Sequence, residues 1–204
     1  WSWIGYKKPG YELARSIFLK NQNNINPVYI LENHGLIICG NDEKELLNLQ
    51  EEVLKRLKLV PRTIPKPDLN LIIRISKSFK EIGLDNYLPR EIVTHSLALD
   101  PWSKTLSMIN PLYPDHLVFC GMKPVIVNKN DFQKFDRYKL SKSKYCIVQG
   151  AGVILFANAS SSTEIMLETQ SQIHLHIPPN NKIKTLTNKD CAALLNWEAE
   201  AYRI

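Results

Sequence analysis

The chain has 204 residues, 44% of them hydrophobic, enough apolar side chain to bury a core in one large domain or two small ones. Its net charge of +6 comes from lysines and arginines scattered along the sequence, and the densest group, Lys139 to Lys144, holds only three lysines, so nothing marks nucleic acid as a partner. No apolar run reaches 18 residues and the opening, Trp1-Ser2-Trp3-Ile4-Gly5-Tyr6-Lys7-Lys8, lacks the charged-then-apolar order of a signal peptide, so neither membrane insertion nor secretion is expected. Cys39, Cys120, Cys146 and Cys191 lie far apart, form no C-x-x-C pair and sit mostly in apolar stretches, which suits a reducing cytoplasm. The sequence starts without methionine and enters a motif at once, so further residues upstream are expected.

Pro9-Gly10 followed by Tyr11, Leu13, Ala14, Ile17 and Phe18 predicts a turn into a helix of about three turns, ended by the Asn-rich stretch Asn21 to Pro27. Val28 to Leu31 and Leu36 to Cys39 read as two short strands around an Asn33-His34-Gly35 turn, the pattern of a hairpin closed by glycine. Asp42 is positioned to cap a helix whose apolar stripe is Leu46, Leu49, Val53, Leu54 and Leu57, with Glu43, Glu45, Lys55 and Arg56 outside. From Leu59 to Asp68, three prolines predict an extended connector and a domain boundary. Beyond it a helix is expected over Leu69 to Ile82, a turn over Pro111 to Asp115, two strands between His116 and Val127 split by Gly121 and Pro124, and a short helix within Asp131 to Leu140.

Residues 29 to 41, YILENHGLIICGN, align without gaps to residues 146 to 158, CIVQGAGVILFAN, 117 positions later, and an amphipathic stretch follows each. Duplication of one supersecondary unit explains this economically. Ala151 then stands where His34 stands, and the second copy has lost its histidine.

His34 is the residue with the clearest chemical potential. A rigid hairpin can hold an imidazole nitrogen at a fixed point, as a metal ligand requires, and Gly35 keeps the approach uncrowded. Taken alone, a histidine in a turn is more often structural or solvent-exposed than a metal ligand. His174-Leu175-His176 offers a second pair whose rings would face one side on a strand, but it ends an expected helix just before Pro178-Pro179, and on a helix positions i and i+2 diverge. Asp115-His116 resembles an acid-oriented imidazole, although a turn-capping Asp and a strand-edge His are the simpler expectation. Trp197, Glu198, Glu200 and Tyr202 read as a terminal helix with Trp197 packed inward.

The run Gly5-Tyr6-Lys7-Lys8-Pro9-Gly10-Tyr11-Glu12-Leu13-Ala14, then Leu31-Glu32-Asn33-His34-Gly35-Leu36-Ile37-Ile38-Cys39-Gly40 and an acidic helix, resembles the closing segment of the class II aldolase/adducin family. The likeness covers residues 1 to about 58. Pro114-Asp115-His116 and Leu195 to Arg203 look like the C-terminal extension of longer, two-lobed members. The resemblance implies an α/β fold, a mainly antiparallel sheet flanked by helices with a degenerate second copy, divided as residues 1–58, a linker 59–68 and a second lobe 69–204. It further implies a homo-oligomer with a zinc ion on three histidines, of which the last is His34, while the preceding His-x-His pair and the acid/base carboxylate fall upstream of Trp1. The activity implied is lysis of a sugar phosphate through an enediolate, with metal as Lewis acid; a basic chain suits such an anion. An epimerase sharing that enediolate, or a non-catalytic adducin-like assembly module, are the alternatives.

Overall fold

The computed structural model describes residues 1–22, 26–131 and 136–198. It divides into two units, Trp1–Val60 and Pro61–Ile204, with the division inside the proline-rich stretch.

The first unit runs β1 (Ser2–Ile4), α1 (Tyr11–Asn21), β2 (Val28–Leu31), β3 (Gly35–Ile38) and α2 (Glu43–Leu57). β1 lies parallel to β2 across the α1 crossover, and β2 pairs antiparallel with β3, so the sheet is mixed. One face of this sheet packs Ile4, Tyr29 and Leu31 against Leu13 and Ile17 of α1. Asp42 caps α2 as its position predicts, its side chain accepting from the Glu45 amide. The predicted core stripe of α2 fares differently: Val53 is buried, but Leu46, Leu54 and Leu57 are exposed. A helix stripe is buried only where something lies opposite it, and three short strands are too few to cover this one.

The second unit runs α3 (Leu69–Glu81), β4 (Asn86–Tyr87), a 3-10 turn (Ile92–His95), α4 (Ser96–Leu99), α5 (Pro101–Met108), α6 (Pro114–Cys120), β5 (Val125–Asn128), α7 (Arg137–Lys142), β6 (Tyr145–Gln149), β7 (Gly152–Phe156), α8 (Ser161–His176) and α9 (Asn188–Leu195). Its sheet has the order β4-β7-β6-β5, with β5 and β6 parallel and the other pairs antiparallel. One face packs on α3 and α7 through Ile72, Ile75, Phe79 and Leu140, and the other on α4, α6 and α8 through Leu97, Val118, Phe119 and Leu167. The molecule is thus mixed α/β, with two small mixed sheets where a mainly antiparallel sheet was expected.

The expectation of a strand from His116 is overturned, since Pro114–Cys120 is a helix and only Val125–Asn128 is a strand. Pro114 occupies the first helical turn, where its missing amide costs nothing, and Gly121 stops the helix at φ 85°. The four-residue apolar run Leu117 to Cys120 has no period long enough to distinguish helix from strand, and the flanking proline and glycine decide it. The short helix expected before Leu140 is α7, although residues 132–135 lie outside the described residues. So do residues 199–204, which include most of the expected terminal helix.

The two hairpins share one register. Val28 faces Ile38 and Leu31 faces Gly35; 117 positions later Tyr145 faces Leu155 and Val148 faces Gly152. Asn33 and Gly150 take the left-handed turn conformation, φ 59° and 73°, and the amides of His34 and Ala151 close the turns on Leu31 and Val148 at 3.1 and 2.9 Å. The correspondence extends further than the hairpin. Ser2 pairs with Tyr29 as Val125 pairs with Cys146, and Ile17 of α1 packs on its sheet as Leu140 of α7 packs on the other. The repeated unit is therefore β-α-β-β-α.

Gly152 shows how closely the second copy is packed. A Cβ at this position would lie 2.4 Å from Nδ1 of buried His95, whose ring is held by a 3.1 Å hydrogen bond from the Val153 amide. Gly152→Ala is expected to destabilise the chain by about 3 kcal/mol, read from urea unfolding, because the ring must leave that bond or the hairpin must shift. A loss below about 0.5 kcal/mol would show that the ring moves freely.

Candidate functional site

The tip of the first hairpin is fastened to the segment that precedes α1. Tyr6 donates its amide to Glu32 Oε2 at 2.8 Å, and the Glu32 amide donates to the Ile4 carbonyl at 2.9 Å. The Tyr6 ring stacks on the imidazole of His34, with centroids 5.3 Å apart and planes 9° from parallel. Nε2 of His34 lies 2.8 Å from the Lys7 carbonyl oxygen. A carbonyl can only accept, so this contact puts the proton on Nε2 and leaves the lone pair of the neutral ring on Nδ1. An imidazole whose one N–H is held by a backbone carbonyl while the other nitrogen carries the lone pair is the usual state of a metal-ligating histidine.

Three sequence features set this geometry: Asn33 adopts φ 59° where side chains seldom go, Gly35 takes φ 129° with open space around it, and Gly5 to Lys8 run back past the turn. The parts played by Tyr6, Lys7 and Glu32 were not evident from sequence, although all three lie inside the quoted motif. Beside Lys7, a groove of about 470 Å³ runs along α1, lined by Lys7, Tyr11, Glu12, Arg15, Ser16 and Leu19. Two of those side chains are cationic.

Zinc requires at least three protein ligands, and among the described residues no three His, Cys, Asp or Glu side chains are grouped to hold a metal. The chemistry of a neutral His34 imidazole suits one ligand position of such a site.

The remaining histidines are placed in the second unit. His174 and His176 both lie on α8: His174 is fully buried with Nδ1 3.2 Å from the Ser103 carbonyl, and His176 turns back to the Gln172 carbonyl at 2.7 Å. They point to different neighbours, as a two-residue spacing on a helix dictates. His116 is buried on α6 beside Tyr113, not at a strand edge. Burial pushes its pKa down to about 3, assisted by His174 nearby, and burial likewise brings His174 down to about 4. Ala151, the counterpart of His34, is fully buried in the apolar core. Where Tyr6 lies against the first turn, Lys129 reaches the Gly150 carbonyl of the second, at 3.4 Å.

Sequence reading also missed the ion pair that anchors the start of the second unit. Arg62 meets Asp100 at 2.6 Å, with the side chains 20% and 12% exposed. A lone arginine among prolines carries no local signal of such a partner.

No family model, curated protein or solved structure matches this chain. No helix among the described residues is long and apolar enough to cross a membrane.

Proposed function

We propose that the first unit is part of a zinc-dependent class II aldolase-type site that cleaves a sugar phosphate through an enediolate, with His34 as one metal ligand. The observation that carries this reading is the state of His34: stacked on Tyr6, its Nε2 proton given to the Lys7 carbonyl, and its lone pair on Nδ1. Sequence likeness supports it, because the two stretches that resemble the family are the two that meet at this ring. Zinc bound there would polarise a carbonyl or hydroxyl oxygen of the substrate. His34 would supply a ligand of fixed orientation, and Lys7 and Arg15 would offer positive charge to the phosphate along the groove. The remaining ligands and the acid/base carboxylate belong, on this reading, to residues upstream of Trp1. An epimerase would use the same site and the same enediolate.

The test is metal content. The protein extended upstream is expected to hold one zinc per chain, and His34→Ala in that protein to lower zinc affinity by about 100-fold or more while shifting unfolding free energy by less than about 1 kcal/mol, since the ring is only half-buried. Equal zinc in parent and variant would remove His34 from the site. An extended protein that holds no zinc would favour the assembly-module alternative.

A further inference from the structure

A cavity of about 200 Å³ in the second unit lies between the 3-10 turn and the first two turns of α8. From α8 it is lined by Ser161, Glu164, Ile165 and Glu168, whose spacing of i, i+3, i+4 and i+7 puts them on one face of the helix. Arg90, Glu91 and Thr94 line the opposite side. Three carboxylates against one guanidinium leave the cavity with a net charge of −2 in a chain that carries +6 overall.

Two of these groups have bonding capacity that the protein does not use. Glu164, with 14% of its side chain exposed, spends Oε1 on the Arg90 amide at 2.7 Å, whereas Oε2 lies 3.9 Å from Arg90 Nε, too far for a hydrogen bond. The Arg90 side chain is 87% exposed, and an ion pair of that kind contributes little. Thr94 is fully buried, yet its Oγ1 meets no hydrogen-bond partner among the described residues. Such a hydroxyl is costly to bury, so its place in the lining of a cavity points to a ligand that completes it. Glu168 follows Glu164 by one helical turn, where like charges repel unless a cation lies between them. Among the described residues no three His, Cys, Asp or Glu side chains converge as a metal ion requires. Carboxylates set apart along a helix suit a longer organic cation, and exposed Ile165 on the same face offers apolar contact to its carbon chain.

We propose that this cavity binds a small aliphatic diamine or polyamine in its ammonium form. One ammonium group donates to Glu164 Oε2 and Thr94 Oγ1, and the next falls to Glu168 and Glu91. The site involves no residue of the first unit and is independent of His34.

Calorimetric titration of the 204-residue chain with 1,4-diaminobutane and with spermidine tests it, with 1,4-butanediol, L-ornithine and calcium ion as comparisons. Both amines are expected to bind with a Kd on the order of 100 µM, and the uncharged diol not at all. Glu164→Gln keeps an oxygen for the Arg90 amide and should weaken amine binding about tenfold or more. Thr94→Val keeps the shape of the side chain and should weaken it about fivefold, while the melting temperature holds or rises because an unmet hydroxyl is gone. Arg90→Ala removes a cation that competes for Glu164 and should tighten binding about threefold. Failure of both amines to bind, affinity unchanged by Glu164→Gln or Thr94→Val, or binding weakened by Arg90→Ala would overturn the proposal. So would L-ornithine binding more tightly than 1,4-diaminobutane, which would make the ligand an amino acid held through Arg90, or calcium alone binding with the same dependence on Glu164, which would make the site one for a metal ion.

Discussion

Taken from pH 7 to pH 4, the protein is expected to lose about 6 kcal/mol of unfolding free energy from the second unit, through two buried histidines. His116, at about 3, and His174, at about 4, both lie below the usual value of 6.5, chiefly because burial penalises the charged ring. His95 is shifted down by burial too. The sign follows from proton uptake. As pH falls below 6.5 the unfolded chain binds protons on these rings while the folded chain does not, so acid favours unfolding; the stabilisation is complete above 6.5 and fades toward the folded values. Each withheld proton costs about 1.4 kcal/mol per pH unit. Against a total of about 5–15 kcal/mol for a domain, that is a large share of the folded state's stability. Urea unfolding at pH 7, 6 and 5 measures the slope in a range where carboxylates contribute little. His116→Leu should reduce that slope by about one proton, whatever it does to stability at pH 7. A parent whose stability is flat from pH 7 to 5 would show that these rings titrate normally and are open to water.

Arg62→Ala is expected to remove about 3 kcal/mol from the same unit. The guanidinium donates to Asp100 through Nη2 at 2.6 Å, to Ser103 Oγ at 3.2 Å, and to the carbonyls of His174, at 2.9 Å, and Ile177, so one side chain joins the proline-rich stretch, the start of α5 and the end of α8. Asp100 in turn caps α5 by accepting from the Ser103 amide at 2.8 Å and hydroxyl at 2.7 Å. Removing Arg62 leaves a carboxylate that is largely out of water and takes the guanidinium donor from the carbonyls of His174, which keeps the Ile177 amide, and Ile177. Arg62→Lys should recover only part of the loss, because an ammonium cannot span the same fork of acceptors. The pH dependence has the opposite origin to that of the histidines. Burial raises the Asp100 pKa, but hydrogen bonds from Arg62 and Ser103 and the Arg62 charge outweigh it and hold the carboxyl below its usual range. That contribution is present above about pH 4 and is lost as pH falls through the lower folded value. Arg62→Ala should therefore show a shallower decline below pH 4 than the parent. Urea unfolding of parent and both variants at pH 7 decides the main point, and a difference under about 0.5 kcal/mol for Arg62→Ala would reduce the cluster to a surface ion pair.

The elements that could be read from sequence were those with a local cause. Both hairpins and the helices after them were visible because short apolar runs met at turn residues, and because the second run repeated the first at a fixed offset. The cap at Asp42 is a contact within three residues, 2.8 Å in the structure, and needs no tertiary context. α6 was misread for the converse reason: its seven residues are too few for a period to show.

The site divides along the same line. Sequence placed His34 at a turn between two strands and aligned Ala151 with it, since turn geometry and repeat offset are properties of neighbouring residues. The stacking of Tyr6, the carbonyl of Lys7 that fixes the ring's proton, the burial of His95, His116 and His174, and the reach of Arg62 to Asp100 and α8 all join residues at least 27 positions apart. Such contacts depend on which faces the chain brings together. The exposed stripe of α2 shows this most directly: its amphipathic pattern determined a helix, but whether that face is buried was decided by what lies opposite it, and periodicity carries no information about a partner.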